Sequence, residues 1–234
     1  MQILKFIGNS SAFSDSTNNC SFYKVDNYLL LLDCGEDVFK KIKKSNLLEG
    51  IKTVDIWISH LHGDHAGSLS TFIFYCYYNY GIIPNVIRSN EFNDLDTYLK
   101  ITGCINNCKV KEFYNNKTSH DYIEAIYNIS HSCDIKSFSI LLNIKNKKIF
   151  YSGDCNELPC EILRLFKLGM IDQLYIDCCN ADYPGNVHMN VDKLYSLLNG
   201  QYNDRIYCMH LDSKNLYEKV KKYNFNVVNI ENLY

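Results

Sequence analysis

The sequence predicts an α/β fold made of two similar halves, each a group of strands with flanking helices. Short apolar runs that are typical of buried strands alternate with segments whose apolar residues recur at helical spacing. The chain has 234 residues, and no internal linker or low-complexity segment divides it. We therefore predict a single domain over residues 1–234.

The composition is that of an ordinary globular protein, with 47% hydrophobic and 21% charged residues and a net charge of −2. Proteins that bind long nucleic acid carry a positive electrostatic footprint, and this chain has no basic tail. The one basic cluster, at 40–44, lies in a helical pattern. We interpret it as a solvated helix face, with attraction of phosphate as the alternative.

The chain has eleven cysteines, an odd number without the paired spacing of a disulfide framework or a zinc site. The first residues are predicted to form a strand rather than a signal peptide. The sequence contains no run of about 18 apolar residues, the length that is needed to span a membrane. We expect free thiols in a reducing cytoplasm, either of a bacterium or of a host cell if the chain is phage-encoded.

In the first half, periodicity predicts strands at 1–8, 20–26, 28–33, 54–59 and 109–113, a βα pair over 86–101, and helices over 36–44 and 66–80. The polar stretch at 9–19 is too long for a simple hairpin turn. In the helix predicted over 66–80, aromatic and aliphatic residues occupy much of the circumference. We therefore expect other parts of the protein to cover this helix on more than one side. Core packing explains this, and a homodimer contact is the alternative.

In the second half, strands are predicted at 122–129, 137–144, 147–151, 174–177, 205–209 and 226–230. A helix begins at Leu158-Pro159 and ends before Gly169, since proline favours a first turn and glycine the position after the last. Further helices begin near Val191 and at Ser213.

The segment His60-Leu61-His62-Gly63-Asp64-His65 directly follows the apolar strand at 54–59. Side chains alternate along a strand, so the imidazoles of His60 and His62 point the same way and can share one metal. Asp64 and His65 follow a glycine that permits a turn in the chain. This turn allows both side chains to bind a second metal. Nitrogen and oxygen donors without cysteine suit Zn²⁺, Mn²⁺ or Fe²⁺ rather than a thiolate-bound structural zinc.

Asp33 ends the buried strand at 28–33 and precedes Cys34-Gly35. This position places its carboxylate at the rim of the sheet, where it can support the metal ligands by accepting a hydrogen bond. The same three residues also suit an ordinary turn.

The pattern His-x-His-x-Asp-His after a strand resembles the signature of the metallo-β-lactamase superfamily. The segments 8–13 and 32–36 look like the first motifs of its RNase Z-like branch. This resemblance implies an αββα sandwich of two mixed β-sheets flanked by helices. It also implies two divalent ions, Zn²⁺ before Mn²⁺ or Fe²⁺, with these ligands: His60, His62 and His131 for one ion, Asp64, His65 and His210 for the other, and Asp154 bridging both.

The RNase Z-like branch has a histidine, in the loop before the last helix and strand, that protonates the leaving alkoxide. His188 resembles it in placement, and Asp177, at the end of the preceding strand, resembles the acidic residue that orients it. The resemblance thus implies His188, Asp177 and Asp64 as catalytic residues. Six of the seven histidines fall at such motif positions, and His120 is interpreted as a surface or strand-cap residue.

The same resemblance implies a phosphodiesterase in which a hydroxide bridging the metals attacks phosphorus and His188 acts as general acid. Enzymes that trim the 3′ end of tRNA generally carry an arm between the His131 and Asp154 motifs. Here these are only 23 residues apart, enough for a hairpin. Arm-less relatives that hydrolyse cyclic nucleotides, including phage anti-Pycsar phosphodiesterases, look closest in layout.

The predicted reaction is therefore hydrolysis of a cyclic mononucleotide (cAMP, cGMP, cCMP or cUMP) to a nucleoside monophosphate, by a homodimer without a membrane partner. Binding of extended nucleic acid is not expected. An arm-less tRNA 3′-processing endonuclease and a lactone or thioester hydrolase remain alternatives.

Overall fold

The chain forms two mixed six-stranded β-sheets flanked by helices, in a computed structural model that describes residues 1–114 and 120–233. The strands of the first sheet lie in chain order: β1 (Lys5–Gly8), β2 (Cys20–Val25), β3 (Tyr28–Leu32), β4 (Thr53–Trp57), β5 (Asn85–Ser89) and β6 (Lys109–Phe113). β1, β2 and β3 pair antiparallel, and β3 to β6 pair parallel.

The second sheet repeats this plan. Its strands also lie in chain order: β7 (Ile123–Ile129), β8 (Ser137–Ile144), β9 (Lys147–Tyr151), β10 (Gln173–Asp177), β11 (Ile206–Met209) and β12 (Asn226–Val227). β7, β8 and β9 pair antiparallel, and β9 to β12 pair parallel. The predicted similarity of the two halves is therefore present in their strand topology.

Seven α-helices are assigned within the described ranges: α1 (Val38–Lys44), α2 (Gly63–Ala66), α3 (Leu69–Tyr80), α4 (Asn93–Ile101), α5 (Cys160–Lys167), α6 (Val191–Leu197) and α7 (Lys214–Lys222). Single 3₁₀ turns occur at Ile105–Asn107 and Asn203–Arg205. The helix predicted over 66–80 is shorter, because the metal-loop segment before it forms the separate helix α2.

Contacts divide the chain into two compact units, one per sheet. Leu4–Tyr114 and Asn229–Tyr234 form the first-sheet unit, and Met1–Ile3 and Asn115–Val228 form the second-sheet unit. The single domain over residues 1–234 remains a prediction.

Burial on both faces explains why the sequences of the central strands are continuous apolar runs. Leu29 to Leu32 of β3 are all fully buried, as expected where both faces of a parallel strand are covered. In the second-sheet unit, α5, α6 and α7 each bury a pair of apolar residues on one helical stripe: Ile162 and Phe166, Val191 and Leu194, Leu216 and Val220. Each such side chain contributes about 1.5–3 kcal/mol on burial.

The strands predicted at 137–144 and 147–151 have the predicted bounds. They are joined by Lys145 and Asn146, both with positive φ (54° and 60°), as a two-residue hairpin turn of type I′ requires. The interval between His131 and Asp154 therefore holds a hairpin and no protruding arm. Across 1–114 and 120–233, no helix is long and apolar enough to cross a membrane.

Candidate metal centre

The first-sheet unit places its histidines directly after β4. The Nε2 atom of His60 lies 2.9 Å from Nδ1 of His62, and His60 is fully buried. Two nitrogen ligands of a tetrahedral zinc ion lie roughly 3.3 Å apart, given Zn–N bonds of 2.0–2.1 Å. The pair therefore converges as expected for two ligands of one ion.

Asp64 and His65 lie on α2, the short helix that follows the glycine. His65 Nε2 lies 3.4 Å from Asp64 Oδ2, and His65 Nδ1 lies 3.0 Å from Asp33 Oδ2. The other oxygen of Asp33 accepts a 2.8 Å hydrogen bond from the Ser59 amide. Asp33 therefore holds the start of the loop and orients the His65 ring so that Nε2 faces Asp64.

Backbone geometry shows why the segment after Asp33 contains glycine. A Cβ on Gly35 would lie 2.1 Å from the carbonyl oxygen of Asp64, so any side chain there would displace the metal loop. Cys34 also donates its amide to the His65 carbonyl at 2.7 Å. Asp33 itself adopts a φ of +66°, which strains a non-glycine residue and is typical of functional sites.

In the second-sheet unit, three adjacent parallel strands deliver the predicted site residues. Asp154 follows β9, Asp177 ends β10 and His210 follows β11, because the carboxyl ends of parallel strands share one edge. Asp154 Oδ1 lies 3.6 Å from His210 Nε2, and Oδ2 lies 3.9 Å from His131 Nε2. One carboxylate thus faces two histidines with different oxygens, as a residue that bridges two ions would.

Asp177 contacts two histidines as well. Its Oδ2 lies 2.8 Å from His188 Nδ1, and its Oδ1 lies 3.3 Å from His210 Nδ1. The carboxylate is fully buried and is held in place by the Cys155 amide, which donates to Oδ2 at 3.2 Å. His188 Nδ1 also lies 3.6 Å from Asp154 Oδ2.

The two histidines of this unit that contact Asp154 Oδ2 have opposite pKa shifts. Burial lowers the pKa of His131 and outweighs the attraction of Asp154 and the Val187 carbonyl, so its ring favours the neutral form that binds metal. Burial also lowers the pKa of His188, but Asp177 and Asp154 outweigh burial and the net shift is upward. His188 thus favours the protonated form that a general acid needs.

The donors fit divalent metal chemistry. Imidazoles and carboxylates converge in both units, and neighbouring thiols do not compete, because burial raises the pKa of Cys155 and Cys178 well above the usual value. Within the second-sheet unit, the potential ligand atoms of Asp154, Asp177, His188 and His210 all lie within 4.8 Å of one another. His188 could therefore be a ligand instead of an acid, and metal analysis of a His188 variant separates the two roles.

Two contributors were missed by sequence reasoning. Ser59 Oγ lies 3.0 Å from His60 Nδ1, and its position directly before His60 was the available signal. The carbonyl of Val187 accepts from His131 Nδ1 at 3.1 Å; a backbone group carries no signal in sequence. His120, the spare histidine, accepts the amides of Tyr122 and Ile123 at the start of β7, which fits a strand-cap role.

All eleven cysteines lie in the described ranges and are free, nine of them buried. Burial raises the pKa of Cys34, Cys76 and Cys108 to about 12. These thiols lie in the interior, and all eleven cysteines are free as predicted.

Comparison with solved structures confirms the predicted fold. The metallo-β-lactamase fold protein YhfI from Bacillus subtilis has a TM-score of 0.72 at 16% identity, covering 98% of this chain and 96% of that one. The short form of human tRNase Z has a TM-score of 0.69 at 16% identity, covering 97% and 96%. Zn²⁺-bound PqqB from Methylobacterium extorquens has a TM-score of 0.70 at 10% identity, covering 97% of each.

Sequence comparison gives the family. Anti-Pycsar protein Apyc1 of Paenibacillus xerothermodurans is 24% identical over 227 residues, covering 90% of this chain and 88% of the relative. Anti-Pycsar protein Apyc1 of Bacillus phage BSP38 is 24% identical over 237 residues, covering 88% of each. The family model for anti-Pycsar protein Apyc1 matches residues 1–234. The chain therefore belongs to the anti-Pycsar Apyc1 family, and it is a metal-dependent hydrolase with the metallo-β-lactamase fold.

Proposed function

We propose that the chain hydrolyses cyclic mononucleotides, with cAMP, cGMP, cCMP and cUMP as candidates, to nucleoside monophosphates. Membership of an anti-Pycsar family supports a cyclic nucleotide as substrate. The observation that carries the reaction type is the 2.8 Å contact between His188 and Asp177 beside the Asp154 carboxylate. A protonated imidazole held there suits a reaction whose leaving group is an alkoxide.

The proposed metal ligands are His60, His62 and His131 for one divalent ion, Asp64, His65 and His210 for a second, and Asp154 for both. Zn²⁺ suits this nitrogen and oxygen donor set best, with Mn²⁺ or Fe²⁺ as alternatives. When bound, such ions activate water for attack and stabilise negative charge on phosphate oxygens.

The residues of the chain supply the proton. Hydrolysis adds water to phosphorus and breaks the bond from phosphorus to a ribose oxygen, which leaves as an alkoxide. His188 donates its proton to that oxygen, a role worth about 10²- to 10⁴-fold in rate. Asp177 orients the ring through Nδ1 and stabilises its cationic form, so Nε2 is the nitrogen that carries the proton to the substrate.

We also propose a homodimer with its contact at the C-terminal part of α3. Tyr78 is 72% exposed there, and Tyr77, Tyr80 and Ile83 are exposed beside it. A cluster of exposed aromatic and aliphatic side chains of this kind is typical of an interaction surface.

The function is tested with purified, metal-analysed protein on a panel of substrates. We expect turnover of one or more cyclic mononucleotides, measured by chromatography of the monophosphate product, and no comparable turnover of precursor tRNA, lactones or thioesters. Preferred cleavage of precursor tRNA would instead support a 3′-processing endonuclease without an arm. Preferred hydrolysis of a lactone or thioester would exclude the phosphodiesterase.

A further inference from the structure

The segment that carries His188 runs from β10 to α6 and is closed at its base. The Cys179 amide donates to the Met189 carbonyl at 2.9 Å, and the Val191 amide donates to the Cys179 carbonyl at 3.0 Å. These two bonds hold the ends together. They leave the path of the chain between Asn180 and His188 to be determined by other contacts.

Asn190 Nδ2 donates to the carbonyls of Asn180 and Ala181 at 3.3 and 3.1 Å, and Asn186 supplies the contacts to His188 with one side chain. Its Nδ2 donates to the carbonyls of Ala181 and His188, both at 2.9 Å, and lies 3.3 Å from Cys179 Sγ. Its Oδ1 accepts the His188 amide at 3.2 Å. The carboxamide therefore holds the backbone of His188 on both sides, at its amide and at its carbonyl.

The same turn also reaches His131. The residue between Asn186 and His188 is Val187, whose carbonyl accepts from His131 Nδ1 at 3.1 Å. That bond directs His131 Nε2 toward Asp154, 3.9 Å away. A displacement of this turn would therefore move both the support of His131 and the ring of His188.

A second asparagine ties the turn to the neighbouring loops. Asn156, two residues after Asp154, donates from Nδ2 to the Asn186 carbonyl at 3.3 Å. Its amide donates to the Ser130 carbonyl at 3.3 Å, directly before His131. The loops that carry His131, Asp154 and His188 thus meet through the carbonyl of Asn186 and through the side chain and backbone amide of Asn156.

We propose that Asn186 is a positioning residue that places the general acid His188 and the metal ligand His131 from a single turn. The contacts suit a carboxamide, because Asn and Gln combine two N–H donors with a separate carbonyl acceptor in one planar group, and Asn has the shorter reach. The assignments of His188 as the acid and of His131 as a metal ligand rest on the proposed function, whereas the hydrogen bond between His131 and the Val187 carbonyl is independent of it.

The test compares Asn186→Ala and Asn186→Asp with wild type and with Asn180→Ala. Asn180 lies in the same segment, and its side chain makes no hydrogen bond within the described part of the chain, so it controls for loss of an amide. Asn186→Asp keeps the size and the acceptor but loses the donors, and it serves as the test variant if Asn186→Ala does not fold.

Two readouts are needed. We expect hydrolysis of cAMP to fall by about 10-fold or more, with a smaller loss on bis(4-nitrophenyl) phosphate, whose leaving group needs no proton. We also expect Zn²⁺ affinity, measured by competition with a chromogenic chelator, to fall by about 10-fold, the usual effect of removing support behind a ligand. Asn180→Ala should match wild type in both.

Both changes are required, so a wild-type value for either overturns the proposal. Equal losses on the two substrates, or the same losses in Asn180→Ala, would show general damage and would overturn it as well. If the wild type hydrolyses no cyclic nucleotide, the proposed function fails by itself. The chelator competition then decides whether Asn186 supports His131.

Discussion

The Oδ2 atom of Asp177 lies 2.8 Å from Nδ1 of His188. The carboxylate is fully buried, whereas 29% of the His188 side chain is exposed. A buried carboxylate therefore holds one edge of a ring whose other nitrogen can meet a substrate. This arrangement orients the imidazole and stabilises its cation, and it leads to the first two predictions.

Replacing His188 with alanine should separate substrates by leaving group. We expect activity on a cyclic nucleotide to fall by about 10² or more, with a much smaller loss on a nitrophenyl diester. The metal content should stay at the wild-type value, because His188 is proposed as an acid and not as a ligand. His120→Ala, which removes a histidine that caps β7, is the control and should retain both activities. Loss of metal from His188→Ala would show that His188 is a ligand.

Replacing Asp177 with asparagine should shift the pH profile. Burial lowers the pKa of His188, and Asp177 and Asp154 more than reverse this effect. A general acid must be protonated, so the rate on a cyclic nucleotide falls as pH rises through this raised pKa. Without the Asp177 carboxylate the pKa is lower, and we expect the alkaline limb of kcat to move to lower pH. An unchanged limb would mean that another group is the acid.

Metal stoichiometry should depend on Asp154. We expect about two divalent ions per wild-type chain by elemental analysis, and loss of at least one ion together with activity in Asp154→Ala. Asp172→Ala removes a surface carboxylate paired with Lys147 at 2.7 Å and should keep both ions. Full activity of the wild type with a single ion per chain would contradict a bridged pair.

Thiol labelling of the native protein should modify two cysteines. Cys133 and Cys160 are exposed, and the other nine are buried; burial raises the pKa of buried thiols such as Cys34 and lowers their reactivity. Intact-mass spectrometry after brief treatment with iodoacetamide should show two adducts, and all eleven should react in denaturant. Rapid labelling of further sites in the native state would contradict the burial of these thiols.

The proposed homodimer predicts a dimer mass in light scattering at micromolar concentration. Tyr78→Asp should shift the protein toward monomer, because it places a charge among the exposed side chains of α3. Leu168, on the second-sheet unit, is 63% exposed, and Leu168→Asp serves as the control that should remain dimeric. A monomeric wild type would exclude the dimer under these conditions.

Local chemistry allowed the sequence to predict much of the fold and part of the centre. The strands followed from apolar runs, and the β8–β9 hairpin from two such runs separated by two residues. His60, His62, Asp64 and His65 lie within six residues, so strand periodicity and one glycine were enough to predict their convergence. The roles of His131, Asp154 and His210 rested on resemblance, since distant residues show no spacing rule.

Tertiary structure decided which groups support those side chains. Asp33 meets His65 across 32 positions of sequence, and the Val187 carbonyl meets His131 across 56. Asn186 contacts the backbone amide and carbonyl of His188 and the carbonyl of Ala181. Every residue has such backbone groups, so the sequence cannot show which of them a side chain will contact. Side-chain identity and short-range period determined where metal-binding groups occur. The path of the folded backbone determined which of their nitrogen and oxygen atoms face one another.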